Sequence, residues 1–435
     1  MAQLALDDYP DRYHLSNELH ARPFPELTAP CRAAHLAIKQ PRDAADRDRG
    51  RDFAHLVALL DRHGAPRPAP GANHYSGPLG RGFLKWEMHT EFVTYTIFAD
   101  GVSQRPFSGE VFSLFPADWL AEAPGLVVTS CLVRVEVAGP DLEDRLGREV
   151  LSWFVPESLA VSQVVDAEAV VAADFRIDEN GHCRVAVFAR PGIGARRLGR
   201  IVQRMLEIET YKSMALLTLP TSRGVAQAVA RLDGELSGVV AAMAEGGGQE
   251  NKTLDQLLRM SAEIAQLSTA SAFRFGAAGA YEAIVTQRIE VLREERIGGR
   301  QLLGEFMTRR FDPAMRTCRS ARERLEELSS RAERAANLLR TRVDVENQAQ
   351  NTEVLRQMSA RAAMQLRLQE TVEGLSVVAI GYYAVSLGTY LLGPVVEPVG
   401  IDKAHLSGLL VLPTLLGVWL MVRRVRARLD HGATH

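Results

Sequence analysis

Residues 375–393 read LSVVAIGYYAVSLGTYLLG, a run of nineteen residues without a charged side chain. As an α-helix this run would span roughly 28 Å at about 1.5 Å per residue, close to the thickness of the hydrocarbon core of a bilayer. A second uncharged run, LSGLLVLPTLLGVWLMV at 406–422, has the shortest length with which a helix crosses a membrane. The two runs predict a transmembrane hairpin over 374–423, with an outer loop at 394–405.

Basic residues around the hairpin predict its orientation. Four arginines follow the second run directly: Arg423, Arg424, Arg426 and Arg428. The loop has one basic residue, Lys403, together with the acidic Glu397 and Asp402. Because basic residues collect on the cytoplasmic side, we expect both chain termini in the cytoplasm, a multi-pass protein of the bacterial inner (cytoplasmic) membrane, and a basic cytosolic tail at 424–435.

The first run is less apolar than the second, with eight Leu, Ile and Val residues against ten. Its polar residues fall roughly on one stripe at helical spacing: Glu373, Ser376, Tyr383, Ser386 and Tyr390. Such a stripe is shielded from lipid, either by a neighbouring helix packed on small residues or by the water of a pore that it lines. Both interpretations stay open at this point.

The segment before the hairpin is predicted to be a helical stalk, over 246–373. Residues 314–373 contain no Gly or Pro, which favours one long helix. Its apolar residues keep a spacing of three and four: Leu325, Leu328, Ala332, Ala335 and Leu339. This spacing is typical of a coiled coil, in which Asn347 and Gln350 would fix register and the number of copies. A charged surface helix with an irregular apolar stripe is the alternative.

Residues 1–245 predict a cytosolic domain with a mixed sheet and helices. Short apolar or alternating runs separated by Gly and Pro read as strands. They are AAHLAIK, FLKWEMHTEFVTYTIFAD, VVTSCLVRVEV, LAVSQVV and CRVAVFAR. Helical patterns lie between them and follow them, so the predicted fold class is α+β, with the stalk and the two-helix hairpin after the sheet domain.

One predicted strand, LKWEMHTEF at 84–92, carries the strongest chemical pattern. Strand alternation places four polar side chains on one face: Lys85, Glu87, His89 and Glu91. The opposite face would hold Trp86, Met88 and Phe92. Glu87, His89 and Glu91 could hold a divalent cation or exchange protons, whereas the alternative is a solvated face paired with arginines.

Composition and the remaining motifs mainly exclude functions. The chain has 51 basic and 53 acidic residues, a formal net charge of −2, which excludes a protein that mainly binds nucleic acid phosphates. The four cysteines form no CxxC pair. Gly192, Gly194 and Gly199 follow a strand and open a helix without a complete phosphate-binding motif, which indicates a tight turn. We therefore expect no enzyme and no cofactor, with a divalent cation kept as a transported or regulatory ion.

Five stretches of the sequence are similar to a family of uncharacterised bacterial membrane-anchored proteins, a domain of unknown function. They are NELHARPFPEL, KWEMHTEF, LGRIVQRMLEIETYKSMALLTLP, LREERIGGRQLLGEFMTRRF and LRTRVDVENQAQNTEVLRQMSARAAMQLRLQETVEGLSVVAI. The resemblance extends over nearly the whole chain and implies a membrane anchor.

The order of parts also resembles the CorA-type metal-ion transporter superfamily, whose cytosolic α/β domain leads through a long helix into two crossings. In that superfamily the first crossing lines the pore of a pentamer and ends in a Gly-Met-Asn motif. Here the corresponding end reads GTYLLG at 388–393, so magnesium selectivity is not implied. A general physical proposal remains, in which Glu397 and Asp402 of each copy form an acidic outer mouth that concentrates cations, and the four arginines form an inner basic collar.

We therefore expect an oligomeric ion channel or transporter of the inner membrane, with the sheet domain and stalk as its gate or sensor. Its partners would be the lipid bilayer and further copies of itself, in a pentamer on the CorA pattern, and no nucleic acid. A non-conducting membrane-anchored sensor or scaffold is the alternative. A tethered enzyme that uses Glu87, His89 and Glu91 is a third hypothesis.

Overall fold

The structure is a computed structural model of the chain and describes residues 7–18, 23–41, 47–245, 250–396 and 402–430. It divides into two compact units, Met1–Ala336 and Asn337–His435. A mixed sheet, long helices and two apolar helices near the carboxyl end make it an α+β protein, so the predicted fold class is confirmed. The Gly246–Gly248 end of the predicted stalk lies outside the described residues.

The strands of the first unit are β1 (Cys31–Lys39), β2 (His74–Leu79), β3 (Gly82–Met88), β4 (Phe92–Asp100), β5 (Leu126–Val137), β6 (Ala160–Val164), β7 (Ala169–Ala173), β8 (Cys183–Ala189) and β9 (Glu295–Arg296). The helices of the chain are α1 (Arg12–Glu18), α2 (Arg49–Arg62), α3 (Ala117–Ala121), α4 (Leu142–Gly147), α5 (Ala195–Leu216), α6 (Thr218–Glu245), α7 (Glu250–Glu290), α8 (Leu303–Arg310), α9 (Asp312–Val396) and α10 (Lys403–Asp430).

The strands form one nine-stranded sheet in the order β2-β3-β4-β1-β5-β8-β7-β6-β9. Neighbours run antiparallel except β5 and β8, which are parallel. β1 lies between β4 and β5, and its register pairs His35 with Thr96 on one side and with Cys131 on the other. The centre of the sheet is therefore built from segments that are about 60 to 100 residues apart in the chain.

The two faces of the sheet bury different helices, because side chains alternate along each strand. On β1, Cys31 and Ala33 join the core that contains α5, whereas Ala34, Leu36 and Ile38 join the core that contains α2 and α3. The apolar side chains of α5 recur at helical spacing, and twelve of its residues are buried. The α5 face is the one that carries polar strand residues, and it positions the candidate site.

A tight turn leads from β8 into α5, as the glycines predict. Gly192 has a φ of 89°, which an L-residue with a side chain rarely adopts. At Gly199 an added Cβ would lie 1.6 Å from the carbonyl oxygen of Pro25, so only glycine lets the segment 23–30 cross the helix there. The amide of Leu27 donates to the carbonyl of Ala195 at 3.1 Å and fixes the same crossing.

The predicted stalk is divided between the two units. Residues 250–336 belong to the unit that contains the sheet, and β9 within them pairs with β6. The predicted seam of α9 is buried at all five positions, Leu325, Leu328, Ala332, Ala335 and Leu339. In this unit Arg319 donates to Glu282 on α7, and Arg331 contacts Asp233 on α6. The first part of α9 is therefore packed beside the helices of its own chain.

The second unit contains the rest of α9, together with α10. From residue 340 to residue 372 the side chains of α9 are exposed apart from that of Val343, which is half-buried, even though many are apolar. Leu355, Met358, Ala362 and Leu366 follow at spacings of three and four residues, and we call them the apolar face of α9. Leu355 is 64% exposed and Leu366 58%.

The two carboxyl-terminal helices, α9 and α10, are long and apolar enough to cross a membrane. Mean hydropathy reaches 1.6 in the first and 1.8 in the second, and both apolar stretches are largely exposed. α9 continues through Pro394 to Val396, and α10 begins at Lys403, so the predicted outer loop 394–405 is partly helical.

All four cysteines are buried, free thiols in the first unit: Cys31, Cys131, Cys183 and Cys318. Burial raises the pKa of Cys31 to about 12, and burial also raises the pKa of Cys131 well above its ordinary value. The carboxylate of Glu209 accepts from the Cys183 thiol at 3.2 Å. The four cysteines therefore behave as small apolar core residues.

Candidate functional site

A polar cavity of about 230 Å³ lies between the sheet and α5 in the first unit. β1, β3 and β4 form its floor, α5 its roof, and α7 contributes Arg288. The polar side chains that line it are His35, Lys85, Glu87, His89, Thr94, Thr96, Gln203, Glu207, Thr210, Tyr211 and Arg288. Its apolar lining is Phe24, Phe92, Phe98 and Leu206.

A chain of charged and polar groups runs along the wall of this cavity. The ammonium of Lys85 donates to Oε1 of Gln203 at 2.8 Å and lies 3.2 Å from a carboxylate oxygen of Glu87. The amide of Gln203 donates to Glu207 at 2.7 Å, and Arg288 donates to the other carboxylate oxygen of Glu207. Lys85 is buried, so α5 covers the strand face that the sequence left open to solvent or arginines.

His35 is held at the base of the cavity as a neutral imidazole. Its Nδ1 lies 2.8 Å from the hydroxyl of Thr96 and its Nε2 lies 2.9 Å from that of Thr210. Because the Thr210 hydroxyl donates to the carbonyl of Leu206, it accepts from Nε2, which leaves Nδ1 as the acceptor from Thr96. Burial, assisted by the charge of Lys85, lowers the pKa of His35 to about 3.

The stretch that contains the predicted metal ligands is two strands and a turn, and the prediction of one strand over 84–92 is wrong. β3 ends at Met88 and β4 begins at Phe92. Lys85, Glu87 and His89 line the cavity as alternation predicts, but the turn brings Phe92 to the same side, where its ring stacks on His89 at 4.2 Å.

The same turn directs Glu91 away from Glu87 and His89. Glu91 is fully buried, accepts from the Tyr281 hydroxyl at 2.7 Å, and contacts Arg274 and the ammonium of Lys39. Burial lowers the pKa of Lys39, while the Glu91 carboxylate raises it in part. Glu91 thus binds α7 to the sheet. Within the described ranges the structure brings no three His, Cys, Asp or Glu side chains together as a metal site.

The segment 23–30 closes one side of the cavity. Its crossing at Gly199 places Phe24 among the lining residues, with 42% of the residue exposed. Three stretches that carry the family resemblance therefore meet here, since they contribute Phe24, the Lys85–Phe92 turn region and the α5 residues from Gln203 to Tyr211.

The polar stripe of the first apolar run lies mostly on exposed helix surface. Tyr383 is 71% and Tyr390 82% exposed, and Ser376 is exposed as well. Glu373 and Ser386 are half-buried. Ser386 and Tyr390 also border a groove of about 700 Å³ between α9 and α10.

A different face of α9 contacts α10. A Cβ added to Gly381 would lie 2.9 Å from Leu415, and one added to Gly388 would lie 3.4 Å from Leu410. The hydroxyls of Thr389 and Ser407 are 3.2 Å apart. Small residues therefore pack the two helices of the hairpin, and most of the polar stripe points elsewhere.

The residues of the predicted mouth and collar are placed only in part. Asp402 precedes α10, and its carbonyl accepts from the amide of His405 at 3.0 Å. Glu397 lies outside the described residues. Arg423 and Arg424 are exposed, and the guanidinium of Arg423 lies 5.1 Å from the centre of the Trp419 ring. Arg426 and Arg428 belong to α10.

Sequence reasoning missed the helical half of the cavity. Gln203, Glu207 and Thr210 recur at three or four residues on α5, so a polar stripe on a largely buried helix was the signal available. Arg288 comes from α7, 200 residues after the end of β3 at Met88, and sequence spacing contains no signal that brings these two together.

Comparison with known proteins gives one match. No curated protein and no solved structure matches the chain. The family described as "Protein of unknown function (DUF3422)" matches residues 7–429, which is nearly the whole chain and includes both the cavity and the hairpin. The predicted resemblance to an uncharacterised family is confirmed, and the chain belongs to the DUF3422 family.

Proposed function

We propose that the protein is a membrane-anchored homo-oligomer in which the first crossings of several copies line an ion path. The observation that carries this proposal is the exposure of the polar stripe, above all Tyr383 and Tyr390, on a helix that is apolar enough to cross a membrane. Hydroxyl groups facing hydrocarbon are unfavourable, so the stripe requires water or protein beside it. α10 does not supply that cover for Ser376 and Tyr383.

The orientation of the hairpin follows from its charges. Arginines after the second crossing favour the cytoplasmic side for the carboxyl terminus, and two crossings return the chain to the side on which it began. The sheet unit is then cytoplasmic and the short connection between the crossings faces outward. The bacterial inner membrane is the membrane in which this arrangement is proposed.

Association between copies is supported by the apolar face of α9. Leu355 and Leu366 are exposed on a helix that continues into the first crossing, and a soluble protein seldom leaves such a face uncovered. Copies anchored in one membrane all point the same way, which favours a parallel bundle of α9 helices. A pentamer is the number that the CorA-like order of parts implies.

Charges at the two ends of the path would favour cations outside and anchor the helices inside. Asp402 and Glu397 from each copy form an acidic outer mouth in this proposal, which concentrates cations by their combined field. Arg423 and Arg424, with the arginines after them, form a basic collar at the inner surface. The proposal assigns no catalysis to the chain and no partner other than lipid and its own copies.

Mass measurement and ion flux test the two halves of the proposal. The purified full chain in detergent is expected to have the mass of an oligomer, and in liposomes it is expected to pass K⁺, Mg²⁺ or Co²⁺. Ser376→Trp should reduce flux at least tenfold because it fills the path. Leu409→Trp is the matched control, since Leu409 is 77% exposed on the second crossing. A monomer, or equal flux in both variants, contradicts the ion path.

The polar cavity favours a second candidate, a sensor or scaffold whose hairpin only anchors it. A cavity with charged walls is suited to ligand binding and requires no ion path. An oligomer that binds a ligand in the sheet unit but passes no ion in liposomes would support this candidate.

A further inference from the structure

Two groups of the cavity wall have hydrogen-bonding capacity that no other described residue takes up. Lys85 is only 5% exposed, and its ammonium has three N–H donors. Gln203 and Glu87 account for two of them, and among the described residues a third partner is not present. In Glu87, one carboxylate oxygen contacts Lys85, while the other has no hydrogen-bond donor in that same described part of the chain. A donor and an acceptor therefore lie side by side at the cavity.

The Lys, Arg and Glu side chains of the wall carry balanced charges, which restricts the ligand. Lys85 and Arg288 are cationic, Glu87 and Glu207 are anionic, and His35 is neutral. A ligand with a net charge would leave an uncompensated charge beside the buried side chain of Lys85, which is costly. A ligand that carries one positive and one negative group keeps the balance.

Size and the apolar part of the wall restrict it further. A volume of about 230 Å³ is below the roughly 300–1,000 Å³ of sites for drug-sized ligands. Phe24, Phe98 and Leu206 provide an apolar side for a small hydrocarbon group. This volume therefore favours a small ligand over a nucleotide or a peptide of several residues.

We infer that the cavity binds a free α-amino acid or a closely similar small zwitterion. Its carboxylate accepts from the ammonium of Lys85, its ammonium donates to Glu87, and its side chain lies against Phe24 and Phe98. This inference rests on the proposed function only for the biological role of binding, in which the bound ligand regulates the two membrane-spanning helices. The binding itself requires neither the oligomer nor the ion path.

Thermal denaturation of the full chain in detergent tests the inference. Each of the twenty common L-amino acids is added at about 10 mM, and unfolding is followed by tryptophan fluorescence, since Trp86, Trp119 and Trp153 all lie in the sheet unit. At least one amino acid is expected to raise the melting temperature by about 2 °C or more, as a ligand that binds only the folded state does. Its deamino acid and its decarboxylated amine, added separately, are expected to bind at least tenfold more weakly by calorimetry.

Two variants assign the effect to the cavity. Lys85→Met and Glu87→Gln are each expected to weaken amino acid binding at least tenfold. Arg81→Met, which changes an exposed residue next to β3, is the control and should bind as the wild type does. If the Lys85→Met variant does not fold, the Glu87→Gln variant provides the test, because glutamine keeps the shape of the glutamate side chain.

Three results overturn the inference: no amino acid raises the melting temperature, the acid or amine alone binds as tightly as the amino acid, or both variants keep wild-type affinity. Flux is measured on the same preparations. Ion flux without amino acid binding supports the ion path and contradicts the inference. Binding without flux supports the inference and contradicts the ion path.

Discussion

The strand face around Lys85 and the segment of α9 after Leu339 differ in where their side chains find partners. At the strand face, charged and polar groups from β1, β3, α5 and α7 meet one another although they are far apart in the chain. In α9 the apolar side chains of Leu355 and Leu366 stay exposed. The sheet unit therefore finds partners for these polar groups within its own chain, whereas the described residues do not cover the apolar side chains of Leu355 and Leu366 on α9.

The largest effect is expected from a substitution that removes a buried ion pair in the sheet unit. Glu91→Gln removes the carboxylate that Arg274 and Lys39 share, and leaves their buried charges without an anion. We expect the free energy of unfolding of the sheet unit to fall by about 3–5 kcal/mol, as when one partner of a buried ion pair is removed. Guanidinium denaturation followed by tryptophan fluorescence measures it.

Glu110→Gln is the control for that change, because Glu110 is exposed. Its stability should stay within about 0.5 kcal/mol of the wild type. Equal stability of the two variants would mean that Glu91 does not bind α7 to the sheet.

The next prediction concerns the apolar face of α9. Leu355→Glu combined with Leu366→Glu places charges on the apolar face of α9 and should weaken self-association by about 2 kcal/mol for each substitution, which is roughly thirtyfold in the dissociation constant for each. Mass photometry over a range of protein concentrations measures this. Arg356→Glu with Arg367→Glu changes residues that lie about 100° around the helix from Leu355 and Leu366, outside the apolar face, and should leave the oligomer intact. Loss of the oligomer in both pairs would contradict a specific role for the apolar face.

The hairpin seam gives a smaller effect. Gly381→Leu puts a side chain where Leu415 already lies, and overpacking of this kind costs about 1–3 kcal/mol. We expect slower disulfide formation between cysteines introduced at Thr389 and Ser407, whose hydroxyls are 3.2 Å apart. Gly374→Leu is the control because nothing lies within 4 Å of its added Cβ, and equal rates would show that Gly381 is not in the seam.

The smallest effect is a pH dependence in the sheet unit. The folded protein keeps His35 neutral down to a pKa of about 3, whereas the unfolded chain binds a proton near pH 6.5. Stability contributed by this group is therefore complete above about pH 6.5 and is lost as pH falls toward 3. At pH 5.5 the free energy of unfolding should be about 1.4 kcal/mol lower than at pH 7.5 on account of His35.

The variant His35→Gln tests this prediction. The relevant quantity is how steeply the free energy of unfolding changes with pH, and not its value at one pH. The variant lacks the imidazole, so its stability should fall less steeply between pH 7.5 and pH 5.5, measured by denaturation at each pH. Parallel curves for variant and wild type would contradict the neutral, hydrogen-bonded state of His35.

How much of this could be predicted differs between the same two regions. The apolar runs at 375–393 and 406–422 and the seam from Leu325 to Leu339 were visible in the sequence, because helical periodicity is a local property. Alternation placed Lys85, Glu87 and His89 on one side. It failed at Glu91 and Phe92, because HTE at 89–91 forms a reverse turn without the Gly or Pro that usually marks one.

The cavity itself was beyond local reasoning. It requires β1 to lie between β4 and β5, and α5 and α7 to pack over that face, and these are contacts between segments far apart in the chain. The same holds for the end of the first unit at Ala336, which depends on α9 packing beside α6 and α7. The predicted start of the stalk at residue 246 comes from local sequence patterns, and such patterns do not show which helices pack against one another.

The burial of every native cysteine makes the chain suited to thiol labelling. A maleimide fluorophore or spin label reacts with an accessible thiolate, and neither accessibility nor thiolate is available at Cys31, Cys131, Cys183 or Cys318 in the folded protein. A single cysteine introduced at Met358 or Tyr383 would then be the reactive position without any cysteine being removed. If copies associate in a membrane as proposed, distances between identical labels could be measured on the otherwise native chain.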